Sequence, residues 1–221
     1  MSSIEFRDLK RQRNYIKEAV DARIQSVIES SHFISGPEVK ELEKKLAEYT
    51  GRKHCITCAN GTDAISIALF SAGIGVGDAV FVPDFTFFSS GECPATCGAT
   101  PIFVDVSMDT YNISVSSLER AIETVISQGN LRPAAVVAVD LFGRPFDYER
   151  VSAICEKYGL LLLEDAAQGF GGAYTCSDGT KKMAGSLGNI STTSFFPAKP
   201  LGCYGDGGAI FTDDDNLATL C

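Results

Sequence analysis

The sequence predicts an α/β domain, a mainly parallel sheet with helices on both faces, preceded by a helical arm. Short apolar runs alternate with stretches of helical periodicity from residue 54 to residue 165, the pattern of repeated strand–helix–strand units. Those runs are apolar almost throughout, as in AAVVAV at 134–139 and LLLL at 160–163, which suits strands buried on both sides. Four of them end in an acid, Asp84, Asp105, Asp140 and Asp165. Open α/β sheets bind ligands outside the carboxyl ends of their strands, so these acids mark the rim where a site is expected. Each is equally compatible with an ordinary turn, where Asp is common.

Taken in order, the first 50 residues read as helical, with a polar amphipathic stretch from about Asp8 to Ser30. Ser35-Gly36-Pro37 breaks the chain before the helix PEVKELEKKLAEYTG, with Pro37 suited to its first turn and Gly51 to its stop. HCITCAN at 54–60 is a strand, followed by a helix over about 62–72. Strands are expected at 79–84, 101–106, 134–140 and 160–165, with helices near 88–97, 115–127 and 147–158 between them. A polar hairpin around 175–182 near the sheet edge then leads to two strand-like runs, ISTTSFF and GGAIFTD. The division expected is an arm over 1–50 and a single α/β domain over 51–221.

With 45% hydrophobic residues in 221, the chain can bury a sizeable core, which excludes wholesale disorder. Nineteen basic against 28 acidic residues leave a formal charge of −9, and a phosphate-backbone binder needs a basic face, so nucleic acid is not an expected partner. No apolar run approaches the roughly 18–20 residues of a membrane span, and MSSIEFRDLKRQR lacks the apolar stretch of a secretory signal. A cytoplasmic protein is therefore expected. Cys55 and Cys58 tempt a metal reading, but three residues apart on a strand they face opposite ways, so reduced core thiols and no metal site are expected.

Two glycine-rich segments fail as nucleotide motifs. Gly73-Ile74-Gly75-Val76-Gly77 follows a helix and precedes a strand, the reverse of a dinucleotide fingerprint, and the run Gly202–Gly208 lacks the GK[ST] ending of a phosphate-binding loop. Asn60-Gly61-Thr62-Asp63 is more informative. It lies at a strand-to-helix turn, where free amides and the helix dipole can cradle a phosphate, although Asn60 or Thr62 could equally be a simple N-cap. Lys199 stands alone between two prolines in the apolar run Ser194–Gly202. It reads either as a buried amine with a lowered pKa, fit for nucleophilic use, or as a surface-loop lysine.

A phosphate cradle, an acid at a central strand end and an isolated lysine are together the parts that a pyridoxal phosphate (PLP) enzyme needs. NGTDA, PDFTFFSS, EDAAQ and SFFPAKPLGCYGDGGAIFT, in this order, resemble the DegT/DnrJ/EryC1/StrS family of nucleotide-sugar aminotransferases, as do IEFRDLKRQ and FISGPEVKELEKKLAEYTG at the start. The resemblance implies the aspartate-aminotransferase-like fold (fold type I), its large PLP-binding domain here and the smaller C-terminal domain missing from this chain. It implies that Lys199 forms the internal aldimine and shuttles the substrate proton, and that Asp165 salt-bridges the pyridinium nitrogen. It also implies that Gln168 bonds the ring's phenolic oxygen, that Phe87 stacks on the ring, and that Gly61, Thr62 and Ser194 hold the phosphate. The implied reaction is a ping-pong transamination from L-glutamate to a nucleotide-linked keto sugar in a homodimer. In look the closest members aminate UDP-linked 3-keto sugar acids for O-antigen synthesis. Alternatives are a PLP-dependent sugar dehydratase, whose relatives carry histidine at the position of Lys199, and a non-catalytic PLP-binding module.

Overall fold

The structure, a computed structural model, describes Ile4 and residues 6–221; residues 1–3 and 5 of the expected arm lie outside the described residues. Helix α1 (Leu9–Ser30) starts where the Asp8 carboxylate accepts the Arg11 N–H at 2.9 Å, and it buries none of its residues. Helix α2 (Pro37–Thr50) begins at Pro37 and stops at Gly51, whose φ of 74° suits glycine. It anchors the arm, since Leu46 packs with Phe170, Phe195 and Phe211.

The alternating region forms β1 (His54–Cys58), α3 (Gly61–Ser71), β2 (Asp78–Pro83), α4 (Ser89–Thr96), β3 (Thr100–Val104), α5 (Val115–Gln128), β4 (Arg132–Val139), α6 (Tyr148–Tyr158) and β5 (Leu161–Asp165). A two-stranded hairpin of β6 (Ala173–Thr175) and β7 (Lys181–Met183) follows, then β8 (Ile190–Ser194), β9 (Gly208–Thr212) and α7 (Asp215–Leu220). The expected hairpin at 175–182 is present, but it forms a sheet of its own instead of extending the main one. Its anchor is α6, through Ser177 donating to Glu149 at 2.7 Å and Lys182 donating to the Tyr148 hydroxyl at 3.0 Å.

The main sheet runs β1-β9-β8-β5-β4-β2-β3. Pairs β2–β3, β2–β4, β4–β5 and β5–β8 are parallel, whereas β9 is antiparallel to both β8 and β1. Because β9 reverses twice, β1 points the same way as β8 and β5. Their carboxyl ends, Cys58, Ser194 and Asp165, therefore emerge on one edge.

Over most of their length the apolar runs divide their side chains by parity. Val80 and Val82 of β2 and Ala135, Val137 and Val139 of β4 pack toward Ala64, Leu69 and Cys93 of α3 and α4. Ala79, Phe81, Val136 and Ala138 face Leu118, Ile122 and Val151 of α5 and α6. Both parities are buried, which is why these strands show no polar alternation. Cys55 and Cys58 likewise pack on different clusters. Burial pushes the Cys55 thiol up to about 12 and the Cys58 thiol up to about 11, so both are protonated at neutral pH. Among the described residues no helix is long and apolar enough to cross a membrane.

The sheet's second face offers a direct test of this packing. Phe81 is fully buried there, so Phe81→Ala should lower the unfolding free energy by roughly 3–5 kcal/mol. A urea denaturation midpoint that falls with an unchanged slope would show it, and a loss below about 1 kcal/mol would mean that the α5–α6 layer is not tightly packed.

Candidate active site

The edge where β1, β8 and β5 end opens into a cleft of about 1280 Å³ whose lining includes Thr62, Phe87, Asp165, Gln168, Ser194 and Lys199. One wall is the start of α3. Asn60 Oδ1 accepts the Asp63 N–H at 2.8 Å, and Asn60 Nδ2 donates to the Asp63 carboxylate at 2.9 Å. The N-cap is thus Asn60, and it takes up one of the first-turn amides while the N–H groups of Gly61 and Thr62 precede any intrahelical acceptor. Cap and cradle are compatible, because they use different amides of the same turn. The Thr62 hydroxyl is 2.7 Å from the Ser89 hydroxyl, so it is oriented by a partner.

The turn lies very close to β8. A Cβ on Gly61 would sit 2.7 Å from Ser194 Cβ, a separation that only glycine avoids. Gly61 is therefore required by close approach of the α3 amides to Ser194. The Ser194 hydroxyl accepts the Phe196 N–H at 3.2 Å and keeps its own proton to donate.

Lys199 lies on the long connection between β8 and β9. That loop is closed at its base by Phe195 N–H to Gly207 C=O at 2.7 Å and Cys203 N–H to Phe195 C=O at 2.8 Å. A turn from Phe196 to Lys199, bonded at 2.8 Å, then directs the lysine to the cleft. Arg7 of the arm donates to the Ala198 carbonyl next to it. Burial pulls the Lys199 amine below the usual lysine range; Asp165 opposes this and Arg7 adds to it. Lys199 is half-buried, and the surface-loop alternative is not what the structure shows.

Asp165 ends β5 in nearly complete burial, with 7% of its surface exposed. Its Oδ1 accepts the Ala167 N–H at 3.0 Å. Burial pushes this carboxyl up, and Lys199 acts against that from across the cleft without hydrogen-bonding to it. Gln168 has its Oε1 fixed by the Phe142 N–H at 2.9 Å, which leaves the two Nε2 protons to face the cleft. Phe142 holds that position with a positive φ of 57°, a backbone state unfavourable for a bulky residue and typical of functional sites. Phe87 is 64% exposed at the mouth, so it is no core residue.

Among the four strand-end acids, only Asp165 lines this cleft. Asp84 lines a separate one of about 620 Å³, the Asp105 carboxylate binds its neighbour's N–H on Val106 at 2.8 Å, and Asp140 is wholly buried. Sequence reasoning passed over Ser89, Phe142 and Arg7 as individual residues. Ser89 stood inside the quoted PDFTFFSS run, whereas nothing local to Phe142 signals a left-handed backbone.

Residues 14–221 match the sequence family described as the DegT/DnrJ/EryC1/StrS aminotransferase family. The UDP-2-acetamido-2-deoxy-3-oxo-D-glucuronate aminotransferase of Pseudomonas aeruginosa is 48% identical over 216 residues, 98% of this chain and 57% of that protein. A crystal structure of a DegT DnrJ EryC1 StrS aminotransferase from Brucella abortus superposes with a TM-score of 0.94 at 50% identity, covering 98% of this chain and 57% of that one. NtdA from Bacillus subtilis with bound cofactor PMP superposes at 0.88 with 31% identity, covering 100% of this chain and 47% of that one. The chain spans about half the length of the curated relatives it matches.

The Gly61 contact yields a specific expectation. Gly61→Ala places a methyl 2.7 Å from Ser194 Cβ, so the first turn of α3 must move away from β8, at a cost of roughly 1–3 kcal/mol. Thermal denaturation should show the loss, and titration with inorganic phosphate should show weaker binding than in the wild type; unchanged binding would mean that the α3 turn does not hold the anion.

Proposed function

The chain belongs to the DegT/DnrJ/EryC1/StrS aminotransferase family, and on that premise we propose that it carries the PLP-binding site of an enzyme that transfers an amino group to a keto sugar linked to a nucleotide. The observation that carries this reading is the pairing of a half-buried Lys199 with a buried Asp165 across one cleft, without direct contact between them. Each is biased by burial toward its neutral form. Between them there is room for a group that satisfies both, one offering a carbonyl to the amine and a positive charge to the carboxylate.

PLP has those features and a phosphate for the open amides of α3. When bound, it supplies a carbon electrophilic toward amines and a ring that withdraws electrons from the carbon being deprotonated. The remaining chemistry is the work of the chain's own side chains. The Gly61 and Thr62 N–H groups and the Ser194 hydroxyl hold the phosphate at the positive end of α3. Asp165 Oδ2 stabilises positive charge on the ring nitrogen and regains its own ionised form by doing so. Gln168 would offer an Nε2 proton to the phenolic oxygen, and Phe87 would cover one ring face. Lys199 Nζ would accept the substrate proton and give it back. A lowered amine pKa suits that task, since a general base works best with its pKa near the operating pH.

The amino donor in this reading is L-glutamate, and the acceptor a UDP-linked 3-keto sugar acid of the kind used in O-antigen synthesis. The name of the 48% identical relative supports the acceptor class. A cytoplasmic homodimer belongs to the same reading, and so does the division into an arm over 1–50 and a PLP-binding domain over 51–221. The 22 residues of α1, none of them buried within the chain, support the assignment of an arm.

Absorption spectroscopy tests the assignment. Added PLP should give a visible band that Lys199→Ala lacks and L-glutamate bleaches. A band insensitive to glutamate would favour the binding-only alternative, and a band indifferent to Lys199 would overturn the site. Asp165→Asn should retain the lysine-dependent band but slow its bleaching by roughly 10²-fold or more, as expected for loss of a preorganised charge. Because burial lowers the Lys199 pKa, the rate of band formation should fall as pH decreases and should stay high well below the range of an exposed lysine.

A further inference from the structure

Directly behind the cleft lies a second group of acids that this mechanism does not use. Asp140 and Glu164 are both fully buried, at the ends of adjacent strands β4 and β5, and Asp165 follows Glu164. The Asp140 N–H donates to the Asp165 carbonyl at 3.0 Å, so the three carboxyls share one small region of the sheet edge. The groups acting on the Asp140 carboxyl are Glu164 and Asp165 from β5 and the Phe146 N–H from the loop before α6; no cation is among them.

The hydrogen bonds tell the two buried acids apart. Glu164 Oε1 accepts the Gly185 N–H at 2.8 Å and Oε2 accepts the Leu187 N–H at 2.7 Å. Both its oxygens are acceptors, as an ionised carboxylate requires. Asp140 Oδ1 accepts the Phe146 N–H at 3.2 Å, whereas Asp140 Oδ2 is buried with no donor. Gly169 closes over one side of that oxygen so tightly that a Cβ there would lie 2.6 Å from it. The side-chain group that acts on the Asp140 carboxyl through a hydrogen bond is the Glu164 carboxylate. Two acceptors facing each other in a dry interior repel unless one carries a proton.

We propose that Asp140 is a neutral carboxylic acid whose Oδ2–H donates to an ionised Glu164, and that this bond fixes the Asp140 side chain beneath the Ala166–Phe170 turn carrying Gln168. The link is physical at each step. Asp140 packs under Gly169, Gly169 follows Gln168, and Gln168 is held by Phe142, two residues after Asp140. Asp140 is therefore a positioning residue, acting on Gln168 from beneath the turn. Burial and Glu164 both drive the Asp140 carboxyl well above the usual carboxylate range, in accord with this geometry. The proton itself does not depend on the proposed function; only the consequence for Gln168 does.

Four variants of the full chain test it. Asp140→Asn keeps a donor of the same shape, so it should melt within a few degrees of the wild type, while Asp140→Ala should melt roughly 10 °C lower. Glu164→Gln, which points an amide at backbone donors, should be as damaging as Asp140→Ala. A raised native pKa makes the folded protein bind more protons than the unfolded chain above the ordinary Asp range, so wild-type stability falls as pH rises there. Asp140→Asn has no such proton to lose, and its melting temperature relative to wild type should climb with pH. Infrared spectra at neutral pH should show a protonated carboxyl C=O band that Asp140→Asn removes. With PLP added, Asp140→Ala should shift the visible band as Gln168→Ala does, and Asp140→Asn should not. The assignment is overturned if the infrared band is absent, if Asp140→Asn is as unstable as Asp140→Ala, or if Glu164→Gln is tolerated instead. A failed Lys199 test with these results intact would refute the function and leave the proton in place.

Discussion

The direction of one strand governs the whole candidate site. β9 pairs antiparallel with β8 on one side and with β1 on the other, in registers that bring Gly208 opposite both Ser194 and Cys58. Were β9 parallel to β8 yet still antiparallel to β1, β1 would end at the far edge of the sheet and α3 would begin some five residues of strand away from Asp165. As built, the first strand of the sheet delivers its helix N-terminus to the edge where β5 and β8 finish. The cleft is thus assembled from chain segments more than a hundred residues apart, and the ladder hydrogen bonds of β9 hold them together.

Electrostatics completes what topology arranges. Taking a carboxylate out of water is unfavourable unless hydrogen bonds or a counter-charge replace the lost hydration. At this edge the solutions differ from acid to acid. Glu164 is satisfied by two backbone amides, Asp140 by a proton, and Asp165 by one amide with its other oxygen turned to the cleft. Asp165 is the one that remains incompletely compensated, and it is the one that faces a ligand-sized space. An unmet electrostatic demand inside an otherwise satisfied interior is the expected mark of a binding position.

Much of this was legible in the sequence because it is encoded locally. The buried strands announced themselves as unbroken apolar runs, Gly51 and Pro37 bounded α2, and Lys199 stood out as a single charge among prolines and aromatics. Identity in chain order of NGTDA, EDAAQ and the Lys199 run was enough to suggest the family. What escaped was non-local. Asp140 reads in sequence like Asp84 or Asp105, an acid at a strand end; only its contact with Glu164 and the closure of Gly169 over it distinguish a proton-bearing buried group from a turn residue. Phe142 is similar, since its positive φ goes with a hydrogen bond from its N–H to Gln168, 26 residues away. The hairpin was foreseen, but its separation from the main sheet depends on α6 offering Glu149 and Tyr148 as anchors.

Residues 6–30 of the arm, none of them buried, can still act on chemistry. Arg7 donates to the Ala198 carbonyl, and the Arg13 guanidinium lies 6.0 Å from the centroid of Tyr204, so two cations of the arm grip the loop on either side of Lys199. A cation held beside an amine disfavours the ammonium form, and that adds to the larger effect of burial on Lys199. Asp165 pulls the other way from across the cleft. The amine's protonation is therefore a balance among three groups contributed by the arm, the β8–β9 loop and β5. A cation engaging Asp165 would weaken the force that favours protonated Lys199 and leave the amine to the two influences that keep it neutral. Occupation of the cleft by a cationic ring would itself prepare the lysine to accept a proton.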